Sequence, residues 1–449
     1  MWPFIFKEVF NMEKKRDGFT NKLGFILSCV GAAIGLGNVW MFPYRLGQNG
    51  GAAFLIPYLL FVILLGTTGI ITELAFGRYV GSGPLKGIKD IFKKKHLKGG
   101  NILGIIPVIT LLGSFIFYNV VVGWILKYFY ISLSGEFMNN DIPKYFSNFV
   151  GSKESLLWLA LAMTLTFVIV CMGVSKGIER INKIIMPFLF ILFVILTIRS
   201  LTLDGANEGL KYLFIPRWES LLQVNTWIMA LGQAFFTVSL TGCALVVFGS
   251  YSKKNIDLPS SAIQTAMFDT LAALLAALMI IPAAFAFNLD VTSGPSLMFI
   301  TVPTIFKSLP LGNIFSTIFF LSMIFASISS SVIMLEGPVE ALLSQVNLSR
   351  KKASLIVALF GFIAAIPLCL NLNLFSSFSD TITILFFPLG TLIIAIVSYY
   401  IVGEKEALKE INLGSKKKLN KVFIILAKYI FVIVTVIVIV LGLIYGGIG

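Results

Sequence analysis

The sequence predicts an all-α, polytopic membrane protein, and three observations predict it. Of the 449 residues, 57% are hydrophobic and only 12% charged, with a mean hydropathy of +0.93. A soluble domain carries about 25% charged residues. Too few polar side chains exist to cover a water-facing surface, so most of the chain is solvated by lipid. Lipid offers backbone groups no hydrogen-bond partners, which leaves helices or a closed barrel. Barrel strands need alternating polarity, whereas here the apolar runs are long and continuous, which selects helices.

Eleven runs reach the about 20 residues that a helical span needs. They lie near 23–45, 52–77, 102–131, 155–173, 181–200, 225–249, 260–287, 312–344, 353–371, 379–402 and 421–446. Of the 35 Lys and Arg residues, those placed on one side by this count are Arg45, Lys144, Lys153, Arg199, Lys211, Arg217 and Lys307. Nearly all the rest fall in loops on the other side. The asymmetry predicts a cytoplasmic N-terminus, an outside C-terminus and a multi-pass protein of the plasma (inner) membrane. The +14 net charge is therefore topological, and nucleic acid is not an expected partner. Cys29, Cys171, Cys243 and Cys369 all lie in apolar segments, as buried free thiols would. The apolar opening, MWPFIFKEVF, is too short for a signal peptide and reads as an interfacial stretch.

Two segments are interrupted. The first contains GAAIGLGN, Gly31–Asn38, and the sixth contains FFTVSLTGC, Phe235–Cys243. Glycine and small polar residues in mid-span weaken a helix and let its backbone face a cavity. For either segment alone, close packing through small residues explains the composition equally well. Their positions decide the matter. They occupy corresponding places in segments 1–5 and 6–10, and an odd number of spans per half makes the halves inverted. Paired interruptions in inverted repeats point to a transporter site at the bilayer midplane. The fold expected is thus a 5+5 inverted repeat with discontinuous helices 1 and 6, plus an eleventh helix. Residues 1–22 form a cytoplasmic segment, 23–200 and 201–402 the two repeats, and 403–449 a cytoplasmic loop with helix 11.

An unwound stretch frees N–H groups, which attract an anion, and carbonyls, which attract a cation. Gly35 and Gly37 allow close approach of a carboxylate. Carbonyls near Gly31 and Ala33, with the Asn38 amide oxygen, can ligate a small hard cation. Counting along the spans puts Gly35, Tyr118, Thr237, Ser239, Ser329 and Ser330 at one depth. Each hydroxyl can instead bond its own helix at i−4. The adjacent serines of ASISSS, Ala326–Ser331, point to several faces, which favours sodium coordination by Ser329 and Ser330. Asp269 is an intramembrane carboxylate with no basic residue in its span, and cation binding is its expected role. Glu73 and Glu336 read as structural polar groups, and His96 as solvated. Asp380 begins segment 10, either as a gate residue or as an interfacial one.

The stretch LGFILSCVGAAIGLGNVWMFPYRLGQNGGAAFLIPY, Leu23–Tyr58, resembles the neurotransmitter:sodium symporter family in its prokaryotic eleven-helix branch. ALGQAFFTVSL, Ala230–Leu240, looks like the family's sixth helix. Tyr118–Trp124, and ASISSS with Glu336-Gly337, resemble its third and eighth. The resemblance covers nearly the whole chain. It implies sodium-driven import of a small molecule by alternating access. By similarity the first sodium site comprises Ala33, Asn38, Thr237 and Asp269. The second comprises Gly31, Ile34, Ala326, Ser329 and Ser330. Substrate contacts correspond to Ala33, Gly35, Gly37, Tyr118, Phe236, Thr237, Ser239, Gly242, Ser330 and Met334. Amine carriers have aspartate where Gly35 stands, so the resemblance implies an amino acid as substrate.

Four departures qualify this reading. The outer-gate arginine is Met41, so Asp380 lacks its usual partner. The asparagine of the first sodium site is Asp269, and Ala273 offers no oxygen at the chloride position, so chloride is dispensable. Gly242 stands where a larger side chain is common, which favours a larger substrate. Arg16 keeps the inner-gate arginine, but its acidic partner position holds Ser344, leaving Glu340 one turn earlier as the substitute. Proton coupling or exchange through Asp269, or a sensor that binds without transport, are the alternatives. No charged ring marks a channel, and no nucleophile–base or metal-ligand constellation marks an enzyme.

Overall fold

The computed structural model describes residues 18–240, 243–291 and 297–446, and among these every regular element is helical. We label the membrane helices in chain order. α1 is Lys22–Ala33 and α2 Gly37–Gln48; α3 is Ala52–Val80, α4 Gly100–Ser134, α5 Lys153–Cys171 and α6 Val174–Leu201. α7 is Val224–Thr237 and α8 Ala244–Ser250. α9 is Leu258–Ala286, α10 Gly312–Gln345, α11 Arg350–Leu370, α12 Leu372–Asn412 and α13 Lys421–Tyr445.

Nine of these are unbroken and apolar enough to cross a bilayer. The first expected span is a pair, α1 and α2, bent by 50° at the break. The sixth is α7 followed by α8, each too short to cross alone. Both expected interruptions are therefore present, at the expected places in the two halves. Helix starts follow local chemistry. Asn21, Asp257, Ser349 and Asn371 each accept a hydrogen bond from a first-turn amide, satisfying a donor the helix leaves free.

Two expectations need correction. α12 begins at Leu372 rather than near residue 379, so Asp380 lies inside the helix and not at its start. The Asn371 cap and the amphipathic run that follows extend the helix beyond its apolar part, where hydropathy alone loses it. Cys171, at the end of α5, is only partly buried, while Cys29, Cys243 and Cys369 are buried; all four are free thiols.

Two long helices, α4 and α10, pack against each other at the centre of the bundle. At 35 and 34 residues, each runs roughly 50 Å. α6 packs on α9 and α3 on α8. α13, mostly lipid-facing, lies at the periphery against α12. Near the C-terminal end of α4, Lys127 is buried and pairs with Glu154 at 2.6 Å, its ammonium 5.5–5.7 Å from the rings of Tyr130, Tyr145 and Trp158. That pair ties α4 to α5 without leaving a lone charge in the bundle.

The short helix α8 can lie flat on α3 because each presents a glycine. A methyl on Gly77 would come within 2.9 Å of the Ser250 nitrogen, and one on Gly249 within 2.9 Å of the Leu74 backbone. Backbone cannot yield as a side chain tip can. Gly77→Ala is therefore expected to destabilise the protein by about 1–3 kcal/mol, read as a lowered melting temperature in detergent. An unchanged melting temperature would show that α8 moves freely on α3.

Candidate functional site

The two interruptions lie side by side and satisfy one another. Ile34 leaves α1 in extended conformation (φ −70°, ψ 119°), which frees the groups on either side of it. In the other break Ser239 and Cys243 take positive φ values of 59° and 72°. A non-glycine residue in that region costs roughly 1–2 kcal/mol. Ser239 recovers a contact for it: its hydroxyl donates to the Ala32 carbonyl at 2.5 Å. The Leu36 amide donates to the Tyr118 hydroxyl of α4 at 3.3 Å, and the Gly37 carbonyl accepts from Gln233 at 3.1 Å.

Two oxygen-rich groupings result. In the first, Asn38, Thr237 and Asp269 meet. Asp269 is fully buried and accepts from Asn38 Nδ2 at 2.7 Å and from the Thr237 hydroxyl at 3.0 Å. Asn38 Nδ2 also lies 3.0 Å from the Asp269 carbonyl, while Asn38 Oδ1 accepts from the Gly35 amide at 2.9 Å. Asn38 thus turns its nitrogen, and not the expected oxygen, toward Asp269. For the Asn38 oxygen to join Asp269 around a cation, the amide would have to turn that oxygen toward the carboxylate. Tyr58 and Thr270, which sequence reasoning did not single out, stand beside this grouping.

The second grouping brings together all five residues expected there. The Ser329 hydroxyl lies 2.7 Å from the Gly31 carbonyl and 2.9 Å from that of Ala326. The Ser330 hydroxyl lies 2.9 Å from the Ile34 carbonyl, 3.3 Å from that of Ala326 and 3.4 Å from that of Gly31. The run of serines divides by face as anticipated. Ser331 turns away to Asn119 and Thr166, and Ser327 bonds its own helix.

Between the groupings lies a hollow of about 30 Å³. Every expected substrate contact among the described residues lines it: Ala33, Gly35, Gly37, Tyr118, Phe236, Thr237, Ser239, Ser330 and Met334. Gly242 and Arg16 lie outside the described residues. Leu36, Phe117 and Phe387 also line the hollow and were not foreseen, since nothing in their local pattern marks them. A methyl on Gly35 would sit 2.7 Å from the Ser330 hydroxyl and 2.9 Å from that of Tyr118; one on Gly37 would sit 2.8 Å from the Phe236 ring. The two glycines are therefore required by close approach.

Phe236, stacked near Phe387 with centroids 5.9 Å apart, separates the hollow from a larger cavity of about 520 Å³. Trp40, Tyr44, Arg45, Trp124, Phe375 and Asp380 are among its lining. Arg45, counted from sequence only as a loop charge, contacts Met229 Sδ at 3.0 Å and the Tyr44 ring. At the opposite end Glu340 is buried against Gly83, and Ser344 bonds only its own helix. Glu336 belongs to a separate buried cluster, accepting from Tyr251 at 2.7 Å and pairing with Arg350. Glu73 accepts from Thr391 at 3.0 Å. Both glutamates are thus structural in their contacts, and His96 is exposed in its loop.

A bundle with two interrupted helices crossing at a polar hollow is the architecture of a secondary transporter. The chain belongs to the sodium:neurotransmitter symporter family, whose model matches residues 16–148 and 147–446. It is 35% identical over 419 residues to an uncharacterized sodium-dependent transporter of Bacillus subtilis, YhdH, covering 90% of this chain and 92% of that one. It is 33% identical over 374 residues to the sodium-dependent transporter MJ1319 of Methanocaldococcus jannaschii, covering 78% and 75%. The crystal structure of MhsT in complex with L-phenylalanine superposes with a TM-score of 0.85 at 37% identity, covering 95% of this chain and 99% of that one. The protein is accordingly a multi-pass, sodium-dependent transporter and not an enzyme, and sodium is the coupled ion.

Arg350 is the only cation bonded to the buried Glu336 among the described residues. Removing it strands a carboxylate, at a cost of about 3 kcal/mol or more. Arg350→Ala is therefore expected to lower the melting temperature, and Arg350→Ala with Glu336→Gln to restore part of it. If the single variant melts like the parent, the pair does not hold α11 to α10.

Proposed function

We propose that the protein imports an apolar amino acid together with sodium by alternating access, without need of chloride. The orientation that goes with this is an N-terminus in the cytoplasm, in the inner membrane. The observation that carries the substrate class is the packing at Gly35. Two hydroxyls crowd it and no side chain fits, so no aspartate can stand there to pair with an amine. What the site offers a ligand is backbone: the Gly35 and Leu36 amides, with the Tyr118 hydroxyl beside them. Amides and a phenol favour a carboxylate. Phe117, Phe236, Phe387 and Met334 surround the rest with apolar surface. MhsT, similar over nearly the whole chain, has been crystallised with L-phenylalanine. That complex, together with Gly242 in place of a larger side chain, supports a large apolar substrate over a small one.

Sodium would take the Asn38–Thr237–Asp269 grouping and the five-oxygen grouping on α1 and α10. Asp269 supplies the fixed negative charge that a bound chloride would otherwise provide, and Ala273, one turn on and fully buried, offers no anion ligand. A carboxylate substrate next to the first ion would let ion and substrate strengthen each other. Asp380 and Arg45 at the outer cavity, with Glu340 and Arg16 at the inner end, are the residues proposed to govern access. The chain in proteoliposomes is expected to accumulate its amino acid when a sodium gradient alone is imposed. Accumulation driven by a proton gradient without sodium would replace this reading with proton coupling through Asp269. Tight binding with no flux would replace it with a sensor.

Two outcomes test the residues. Asp269→Ala should weaken sodium-dependent binding by about tenfold or more, since it removes a buried anionic ligand; titration of sodium against ligand-induced thermal shift measures it. Gly35→Ala should abolish uptake while leaving sodium-induced stabilisation in place. Equal uptake by Gly35→Ala would remove the substrate from this hollow. A thermal-shift screen of the amino acids, with and without sodium, should single out the one carried, because a ligand of the folded state raises stability by mass action.

A further inference from the structure

We propose that Asn182 of α6 supplies a sixth oxygen to the second sodium grouping. This rests on the placement of sodium at Gly31, Ile34, Ala326, Ser329 and Ser330 argued above. Asn182 is 2% exposed, within the bundle. Its Nδ2 donates to the Ile178 carbonyl of its own helix at 3.0 Å, which settles which end of the amide is which. Oδ1 then points the other way, is buried, and has no hydrogen-bond partner. A buried amide oxygen without a donor is unfavourable and needs an explanation.

The explanation lies in what the oxygen faces. A methyl group on Gly31 would collide with Asn182 Oδ1, and the same methyl position lies 3.2 Å from Ser329 Cβ. The orphan oxygen and the Ser329 side chain therefore approach Gly31 on its one open side. Gly31 is the residue whose carbonyl both Ser329 and Ser330 contact. Ser28, one turn earlier on α1, also has a fully buried hydroxyl without a partner. An oxygen that lacks a donor, held against the glycine whose carbonyl two hydroxyls already contact, suits a hard cation. Hard cations are bound by sets of about six or more oxygens. A water or a lysine would serve the amide oxygen equally, but Lys183, the nearest cation in sequence, is committed to Glu179 at 2.6 Å. α6 would thereby join α1 and α10 around the ion, so that sodium ties a third helix to these two.

The test uses the full-length protein in detergent, with sodium titrated against potassium at constant ionic strength and thermal stability as the readout. Asn182→Ala should raise the sodium half-saturation by about tenfold, the scale seen when a group supporting a metal site is lost. Asn182→Asp, nearly the same shape, places a carboxylate at the orphan position and should lower the half-saturation. A tightening by Asp cannot come from packing alone, and this variant carries the test if the alanine variant does not fold. Half-saturation unchanged in Asn182→Asp would overturn the assignment while leaving the transport reading intact. A parent protein indifferent to sodium would overturn both.

Discussion

Peptide groups released inside a bilayer have no water to turn to, and that constraint shapes this protein. The first break frees donors and acceptors, and the structure answers its carbonyls from the opposite half of the chain. The Gly31 and Ile34 carbonyls of the first half accept from serines of α10. The Ala32 carbonyl accepts from Ser239, and that of Gly37 from Gln233. Neither interruption is tolerable alone. Together they form a polar centre that holds the two halves in register.

The same economy explains why the site is built from small residues. Glycine at 35 and 37 lets hydroxyl and ring approach the backbone closely, so specificity comes from main-chain groups that cannot change rotamer. The strained positive φ of Ser239 and Cys243 aims the second break at the first. Such strain persists only where the surroundings over-determine it. On the reading proposed here, each sodium grouping draws ligands from both halves. Ion occupancy would therefore bias how the halves sit against each other, which is what coupling requires.

Much of this was legible before the structure. Apolar run lengths placed most of the spans to within a few residues, because a helix must cross a fixed thickness of hydrocarbon. The interruptions were legible because glycine and small polar residues are out of place in mid-span. Asp269 was legible as a rare intramembrane carboxylate. The start of α12 was not, because Leu372–Asp380 continues the helix through an amphipathic stretch that hydropathy averages away. Phe117 and Phe387 were not, because one aromatic residue in an apolar span resembles any other until its neighbours are known.

The order of residues alone establishes that the chain crosses the membrane many times, where two helices lose their winding, and which oxygen-bearing residues share one depth. These follow from composition and spacing along the chain, which lipid solvation reads directly. The packing of the folded helices settles which hydroxyl meets which carbonyl, which way the Asn38 amide faces, and that Asn182 Oδ1 lies against Gly31 without a donor. Those relations join residues tens to hundreds of positions apart, and side-chain direction at such contacts depends on how helices rotate and cross, which no local pattern encodes.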